Sequence, residues 1–205
     1  AVRLRDEFLS VASHELKTPL TPLSLRLQGL ERSLRAEPGS LLATRLGKEV
    51  EVMRRQVKRL SDLVSDLLDV SRISTGRMKL LLEEVDLAEV AREVVARFVP
   101  EAQRAGCELV LHAEGPVTGQ WDRLRLEQVL TNLLSNAFKY GKGQPIELRV
   151  ERTDGHGKLS VRDHGPGIAP EQQRAIFERF KKAPATGEKK EGFGLGLYIV
   201  RQLVE

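Results

Sequence analysis

The chain has 205 residues, of which 40% are hydrophobic and 30% charged, a balance typical of soluble proteins with one or two domains. The net charge is only +4, and no dense basic stripe with interleaved aromatic residues is present, so nucleic acid is excluded as the expected partner. No signal peptide or membrane-spanning apolar stretch is apparent, which predicts a cytoplasmic chain without direct membrane contact, either free or as the cytoplasmic end of a membrane receptor.

The first predicted element is an amphipathic helix that carries an exposed histidine. His14 lies two residues before a leucine stripe, so it should face solvent, where another domain can reach it. Thr18 follows one turn later on the same face. The stripe has spacings of three and four and comprises Leu16, Leu20, Leu23, Leu27, Leu30 and Leu34.

Glu15 gives His14 a chemical context. A neighbouring carboxylate can hold the imidazole in the tautomer that leaves one ring nitrogen unprotonated and nucleophilic. His14 and Glu15 also open the zinc-protease pattern His-Glu-x-x-His. Thr18 stands where that pattern needs its second histidine, which excludes a zinc protease.

A second amphipathic helix follows a turn at residues 38–40 and ends near residues 74–77, closing a first domain of residues 1–76. One hairpin buries two apolar stripes poorly, so two hairpins should pair as a four-helix bundle in a homodimer. The alternative to this dimer is a single hairpin that docks on the second module of the same chain. The second stripe comprises Leu46, Val50, Met53, Val57, Leu60, Val64 and Leu67.

The second domain is predicted over residues 80–205. Asp86 and Glu89 form the pattern of an N-cap with a capping box, and that helix should run to about Ala105. We expect Cys107, the only cysteine, to be a buried small hydrophobe. A further helix is predicted over 123–138, and strands over 107–113, 146–152 and 158–162. The whole chain is therefore predicted to be α+β, with the second domain an α/β sandwich whose mixed sheet is covered by helices on one face.

Three segments of this domain have the chemistry of a nucleotide pocket. The predicted helix places Asn132, Asn136 and Lys139 on one face. Glycine-rich loops at 163–167 and 192–197 let the backbone approach a ligand closely, and the second loop leads into a helix whose N-terminal amides can face phosphates. A nucleophilic imidazole on one module and a phosphate cradle on the other predict phosphoryl transfer onto histidine.

In this order, the segments resemble the catalytic core of sensor histidine kinases of two-component systems, over nearly the whole chain. The second domain resembles the ATP-binding fold shared by histidine kinases, type II topoisomerases, an abundant chaperone and mismatch-repair ATPases. The resemblance implies ATP with Mg²⁺ as ligands, autophosphorylation of His14, and a response regulator receiver domain as the partner whose aspartate receives the phosphate. The family continues past its final helix with a strand pair, so C-terminal strands would be missing after Glu205.

The resemblance also implies residue roles. Glu15 would assist phosphoryl acceptance, and Thr18 would position water for removing phosphate from the regulator. Asn136 would coordinate Mg²⁺, and Asp163 would accept a hydrogen bond from the adenine amino group. The other positions implied to bind the nucleotide, with Arg179 as a phosphate contact, are Asn132, Lys139, Tyr140, Gly165, Gly167, Arg179, Gly192, Gly194, Leu195, Gly196 and Leu197.

Asn132 favours a kinase over an ATPase. Hydrolysing members of the fold carry a glutamate base four residues before the magnesium asparagine, and this chain has Asn132 there. Without that base, ATP should be protected from water and its phosphate kept for His14. Two alternatives stay open: a non-catalytic dimeric scaffold that binds nucleotide as a switch, and a stand-alone ATPase of the same fold.

Overall fold

The computed structural model describes residues 22–23, 25–26, 28–29, 41–141, 143–181 and 193–205, with the backbone alone for 41–49. The chain divides into two compact units, Ala1–Ser74 and Thr75–Glu205. None of the described helices combines the length and apolarity needed to span a membrane. The predicted turn at 38–40 lies outside the described residues, as do four of the predicted site residues: His14, Glu15, Thr18 and Gly192.

The first unit contains one long described helix, α1 (Leu41–Ser74). Its predicted end is confirmed. The Ser74 hydroxyl donates a hydrogen bond of 2.6 Å to the carbonyl oxygen of Val70, and Gly76 takes the left-handed φ of 63° that commonly terminates helices.

The predicted apolar stripe of α1 coincides only in part with its buried side, since Met53, Leu60 and Leu67 are half-buried. Leu63 and Val70 are 1% exposed, whereas Val50, Val57 and Val64 are 46%, 53% and 44% exposed. Both sets repeat every seven residues, so the sequence period fits two neighbouring seams of the helix equally well. We refer to Val50, Val57, Val64 and the 54%-exposed Leu68 as the outer seam.

The second unit confirms the predicted α/β architecture. A mixed sheet has the strand order β2-β4-β5, in which β2 pairs with β4 in parallel and β4 with β5 antiparallel, and a separate two-stranded sheet pairs β1 with β3. Two short 3₁₀ turns precede the last helix. The elements in chain order are β1 (Glu83–Asp86), α2 (Leu87–Ala105), β2 (Leu109–Ala113), β3 (Thr118–Trp121), α3 (Arg123–Tyr140), β4 (Ile146–Thr153), β5 (His156–Asp163), the 3₁₀ turns Pro170–Gln172 and Ala175–Phe177, and α4 (Gly196–Val204).

Helix α2 begins at the predicted N-cap. The Asp86 carboxylate accepts hydrogen bonds from the backbone N–H of Ala88 (3.0 Å) and of Val117 (2.8 Å), which also ties the helix start to the segment before β3. Glu89, predicted to complete the capping box, instead forms an ion pair of 3.5 Å with Arg123 of α3. Its carboxylate therefore links the two helices.

The core of this unit lies between the mixed sheet and helices α2 and α3. Alternate residues of β4 are buried, as expected for a sheet covered on one face. Cys107 is 8% exposed, which confirms this residue as a buried small hydrophobe, and this burial raises the pKa of its thiol. The largest fully buried side chains of this core are Val90, Val94, Leu130, Leu134, Ile146 and Leu148.

Candidate nucleotide-binding site

Helix α3 carries most of the predicted polar positions. The Asp122 carboxylate caps its start by accepting a hydrogen bond of 3.1 Å from the backbone N–H of Arg125. The side facing the sheet is apolar, with Leu134 and Ala137 buried. This anchoring leaves the four predicted polar side chains of the helix partly exposed: Asn132, Asn136, Lys139 and Tyr140.

The C-terminal end of α3 meets the predicted adenine loop. A methyl group at Gly165 would lie 2.7 Å from the carbonyl oxygen of Tyr140 and 3.2 Å from the Cα of Gly141. Only glycine therefore fits between the loop and the helix end. The structure thus brings together the end of α3 and the loop that follows β5, which the sequence presents as separate segments.

Asp163, the last residue of β5, shapes this loop. Its Oδ1 accepts a hydrogen bond of 2.9 Å from the backbone N–H of Gly165, a local turn typical of aspartate. Its Oδ2 accepts no hydrogen bond from the described residues, and the side chain is exposed. One carboxylate oxygen thus fixes the loop, while the other is available to a ligand.

A histidine–glutamate pair anchors the same loop to the sheet. The His164 Nε2 lies 3.0 Å from Oε1 of Glu147 on β4. Because the carboxylate can only accept, the imidazole donates in this bond. The bond, followed by the charge of His164, lowers the pKa of Glu147. Sequence reasoning missed this contact, although Glu147 is a charged residue directly beside buried strand positions.

The middle of α3 meets the start of α4. A methyl group at Gly196 would lie 3.1 Å from Oδ1 of Asn132, so the two helices approach closely at this point. The amide nitrogen Nδ2 of Asn132 is buried and has no hydrogen-bond partner among the described residues. A buried donor without an acceptor is unfavourable by about 1–3 kcal/mol, so this nitrogen fits a ligand that supplies oxygen atoms.

The start of α4 offers further donors. Its N-cap position is Leu195, and no side chain caps the first turn. The first backbone N–H groups of a helix have no partner within the helix and carry partial positive charge, which favours phosphate oxygens. Leu197 lies within this turn, and Gly194 precedes it with a left-handed φ of 69°.

Other predicted positions have different surroundings. The Lys139 ammonium lies 4.7 Å from the centroid of the Tyr140 ring, a cation–π contact on the exposed side of α3. Gly167 has a φ of 73° and open space around it. The Arg179 guanidinium contacts Tyr198 of α4. Tyr198 was not among the predicted residues, because a tyrosine in an apolar helical stretch gives no signal of its own.

Two family models match the chain. The model described as "His Kinase A (phospho-acceptor) domain" matches residues 4–76, and the model described as "Histidine kinase-, DNA gyrase B-, and HSP90-like ATPase" matches residues 121–205. The first match includes His14, and the second includes the helix and both loops described above.

Individual proteins agree with these matches. The alginate biosynthesis sensor protein KinB of Pseudomonas aeruginosa is 36% identical over 206 residues, which cover 99% of this chain and 33% of KinB. The chain thus spans about a third of that relative. The histidine kinase AdeS of Acinetobacter baumannii has a solved structure that is 31% identical, with a TM-score of 0.69, covering 93% of this chain and 85% of that chain. ShkA, solved in complex with AMPPNP, is 28% identical with a TM-score of 0.66, covering 97% of this chain and 40% of that chain.

Proposed function

The chain belongs to the sensor histidine kinases of two-component systems, and we propose that it transfers the γ-phosphate of ATP to His14 and then to an aspartate of a response regulator. One observation carries this proposal: a phospho-acceptor family match containing His14 and an ATPase-fold match lie on the same chain. The unpartnered amide nitrogen of Asn132 beside the uncapped start of α4 supports nucleotide binding independently.

Nucleotide binding is assigned to the second unit, whose fold is the ATP-binding fold of the family. Asp163 would recognise adenine, and Asn132 with the start of α4 would hold phosphate oxygens. Asn136 would hold Mg²⁺ through its amide oxygen, a hard ligand of the type Mg²⁺ prefers. Bound Mg²⁺ would neutralise phosphate charge. Further nucleotide contacts are assigned to Lys139, Tyr140, Gly165, Gly167, Gly192, Gly194, Leu195, Gly196 and Leu197.

Magnesium is compatible with the donors present. No group of three or more His, Cys, Asp or Glu side chains positioned to hold a metal occurs in the part of the chain that the structure describes. A single amide ligand suits Mg²⁺, which binds to few protein groups when substrate phosphates and water complete its shell.

In the first reaction, the unprotonated ring nitrogen of His14 donates its electron pair to the γ-phosphorus. The bond from that phosphorus to the bridging oxygen breaks, and its electrons leave on ADP. Glu15 would accept the hydrogen bond of the other ring nitrogen and stabilise the positive charge that develops on the imidazole. In the second reaction, a regulator aspartate oxygen attacks the phosphorus and the nitrogen–phosphorus bond breaks. Thr18 would later orient water for hydrolysis of the aspartyl phosphate.

The chemistry of the protein-bound phosphate tests this function. The chain is incubated with γ-labelled Mg-ATP, denatured, and exposed separately to acid and to base. Label that survives base and is lost in acid indicates a phosphohistidine and supports the kinase. Steady release of phosphate without labelling would favour the ATPase, and ATP binding with neither labelling nor release would favour the scaffold.

The outer seam supports a homodimer. A row of apolar residues along about half of a long helix remains 44–54% exposed in the single chain. In a two-fold symmetric bundle the same seam residues of both copies would be buried at the interface. We place this dimer in the cytoplasm, where ATP is available and the free Cys107 thiol stays reduced.

Charges placed on the outer seam should dissociate this dimer. Replacing Val57 and Val64 with glutamate would bury four carboxylates per dimer, so the dissociation constant should rise at least roughly a hundredfold. Sedimentation equilibrium measures it. Val99→Glu, which changes a 41%-exposed valine of α2, is the matched control and should leave the dimer intact. A double variant that stays as dimeric as the control would contradict the seam interface.

A further inference from the structure

The guanidinium of Arg179 has a specific partner. Its Nη2 donates a hydrogen bond of 2.6 Å to the hydroxyl oxygen of Tyr198, and its Cζ lies 4.7 Å from the centroid of the same ring. One of the five guanidinium donors of Arg179 and the face of the Tyr198 ring are thereby engaged with each other, which orients the guanidinium toward this side chain. The sequence predicts a phosphate contact for Arg179, whereas the structure directs this side chain to helix α4.

The backbone beside Arg179 is held to the same region. The Phe180 N–H donates a hydrogen bond of 2.9 Å to the carbonyl oxygen of Gly194. Phe180 has a φ of 61°, a left-handed conformation that is uncommon for a bulky residue. A methyl group at Gly194 would lie 2.7 Å from the carbonyl oxygen of Lys181, so the two segments touch through their backbones. Such strain persists where surrounding contacts fix the conformation, often at functional sites.

These contacts lie beside the groups proposed to bind phosphate, the uncapped N–H groups of α4 and the amide of Asn132. Tyr198 belongs to the first turn of α4, and Gly196 of the same turn packs against Asn132. The direction of the uncapped N–H groups depends on how this turn is oriented. Arg179 therefore holds, through Tyr198, the helix end that lies beside the unpartnered amide of Asn132.

We propose that Arg179 is a positioning residue, which orients the first turn of α4 for the phosphates shared by ADP and ATP and does not itself contact the γ-phosphate. This inference rests on the proposed function, because it assumes that the second unit binds ATP. A positioning role affects every nucleotide that uses the helix end, whereas a γ-phosphate contact affects ATP alone.

Tyr198→Phe gives the sharpest test, because it removes one hydroxyl oxygen and keeps the ring. The experiment uses the 205-residue chain. Within each variant, Tyr198→Phe or Arg179→Gln, the affinity for ADP should fall by the same factor as the affinity for ATP, roughly three- to tenfold. The double variant should be no weaker than Arg179→Gln alone, because Arg179→Gln already removes both the hydrogen bond and the cation–π contact, whereas Tyr198→Phe removes only the hydrogen bond. In His14 labelling, KM for ATP should rise by the same factor while kcat at saturating ATP is unchanged.

Controls separate this role from general destabilisation. Arg201→Gln removes an arginine of the same helix that pairs with Glu205, and it should leave nucleotide affinity unchanged. The thermal midpoint of each variant is measured alongside. The positioning role would be overturned if Arg179→Gln lost affinity for ATP but not for ADP, or if Tyr198→Phe bound both nucleotides as tightly as the wild type. In either case, nucleotide binding by the wild-type chain would still support the proposed function. A wild-type chain that binds neither nucleotide would overturn both.

Discussion

A chain in which glutamine replaces His14 should take up no phosphate from γ-labelled ATP, while the unsubstituted chain becomes labelled. Glutamine keeps similar bulk and hydrogen-bonding capacity. Its amide nitrogen, however, has no free electron pair with which to attack phosphorus, so the loss should be complete to background. ATP affinity should not change, because His14 belongs to the unit Ala1–Ser74 and the nucleotide residues belong to Thr75–Glu205.

The chain offers a matched control for this substitution. His112 is an exposed histidine of β2, and His112→Gln should leave labelling intact. Glu15→Gln should lower the labelling rate without abolishing it, since the ring nitrogen remains nucleophilic. Label that persists in His14→Gln would place the phosphate acceptor elsewhere and remove the basis of the kinase assignment.

Local chemistry explains which elements were predictable from the sequence. Helix α2 was predictable at both ends, because Asp86 is a strong N-cap and Gly106 takes the left-handed conformation that ends a helix. The three strands of the mixed sheet were predictable as apolar segments. Their bounds shifted by a few residues, with β2 beginning at Leu109 and β5 at His156.

Elements that depend on distant partners were not predictable. Strand β1 has one buried residue, Val85, among four, and β3 contains Gly119, so neither has a strand pattern of its own. Each becomes a strand because it pairs with the other, more than thirty residues away. A methyl group at Gly119 would lie 2.6 Å from the Trp121 ring, so this glycine is needed for tertiary packing.

The site shows the same division. Residue types and spacings predicted the polar face of α3 and the two glycine loops. They did not reveal that the Tyr140 carbonyl lies against Gly165 or that the Asn132 side chain packs on Gly196. These contacts arise only when the fold brings the segments together. The partner of Arg179 was likewise unpredictable, since side-chain pairing across nineteen residues leaves no periodic signal.

Asp163→Ala should weaken ATP binding roughly ten- to a hundredfold, the range for losing a hydrogen bond to a charged group. Two effects coincide in this variant. The Oδ2 that would accept from the adenine amino group is lost, and so is the Oδ1 that holds the Gly165 N–H at 2.9 Å. Preference for ATP over GTP should fall as well, because guanine carries an oxygen in place of that amino group. Isothermal titration with ADP, ATP and GTP measures all three.

Asp163→Asn separates the two effects. The asparagine oxygen can still accept from Gly165 and keep the loop, while its amide group presents donors where the free carboxylate oxygen stood. Two donors cannot pair, so ATP affinity should fall nearly as far as in Asp163→Ala although the loop is retained. If Asp163→Asn binds ATP as tightly as the unsubstituted chain, Asp163 shapes the loop but does not read the base. Glu171→Ala, an exposed acid in the first 3₁₀ turn, should change nothing and controls for charge alone.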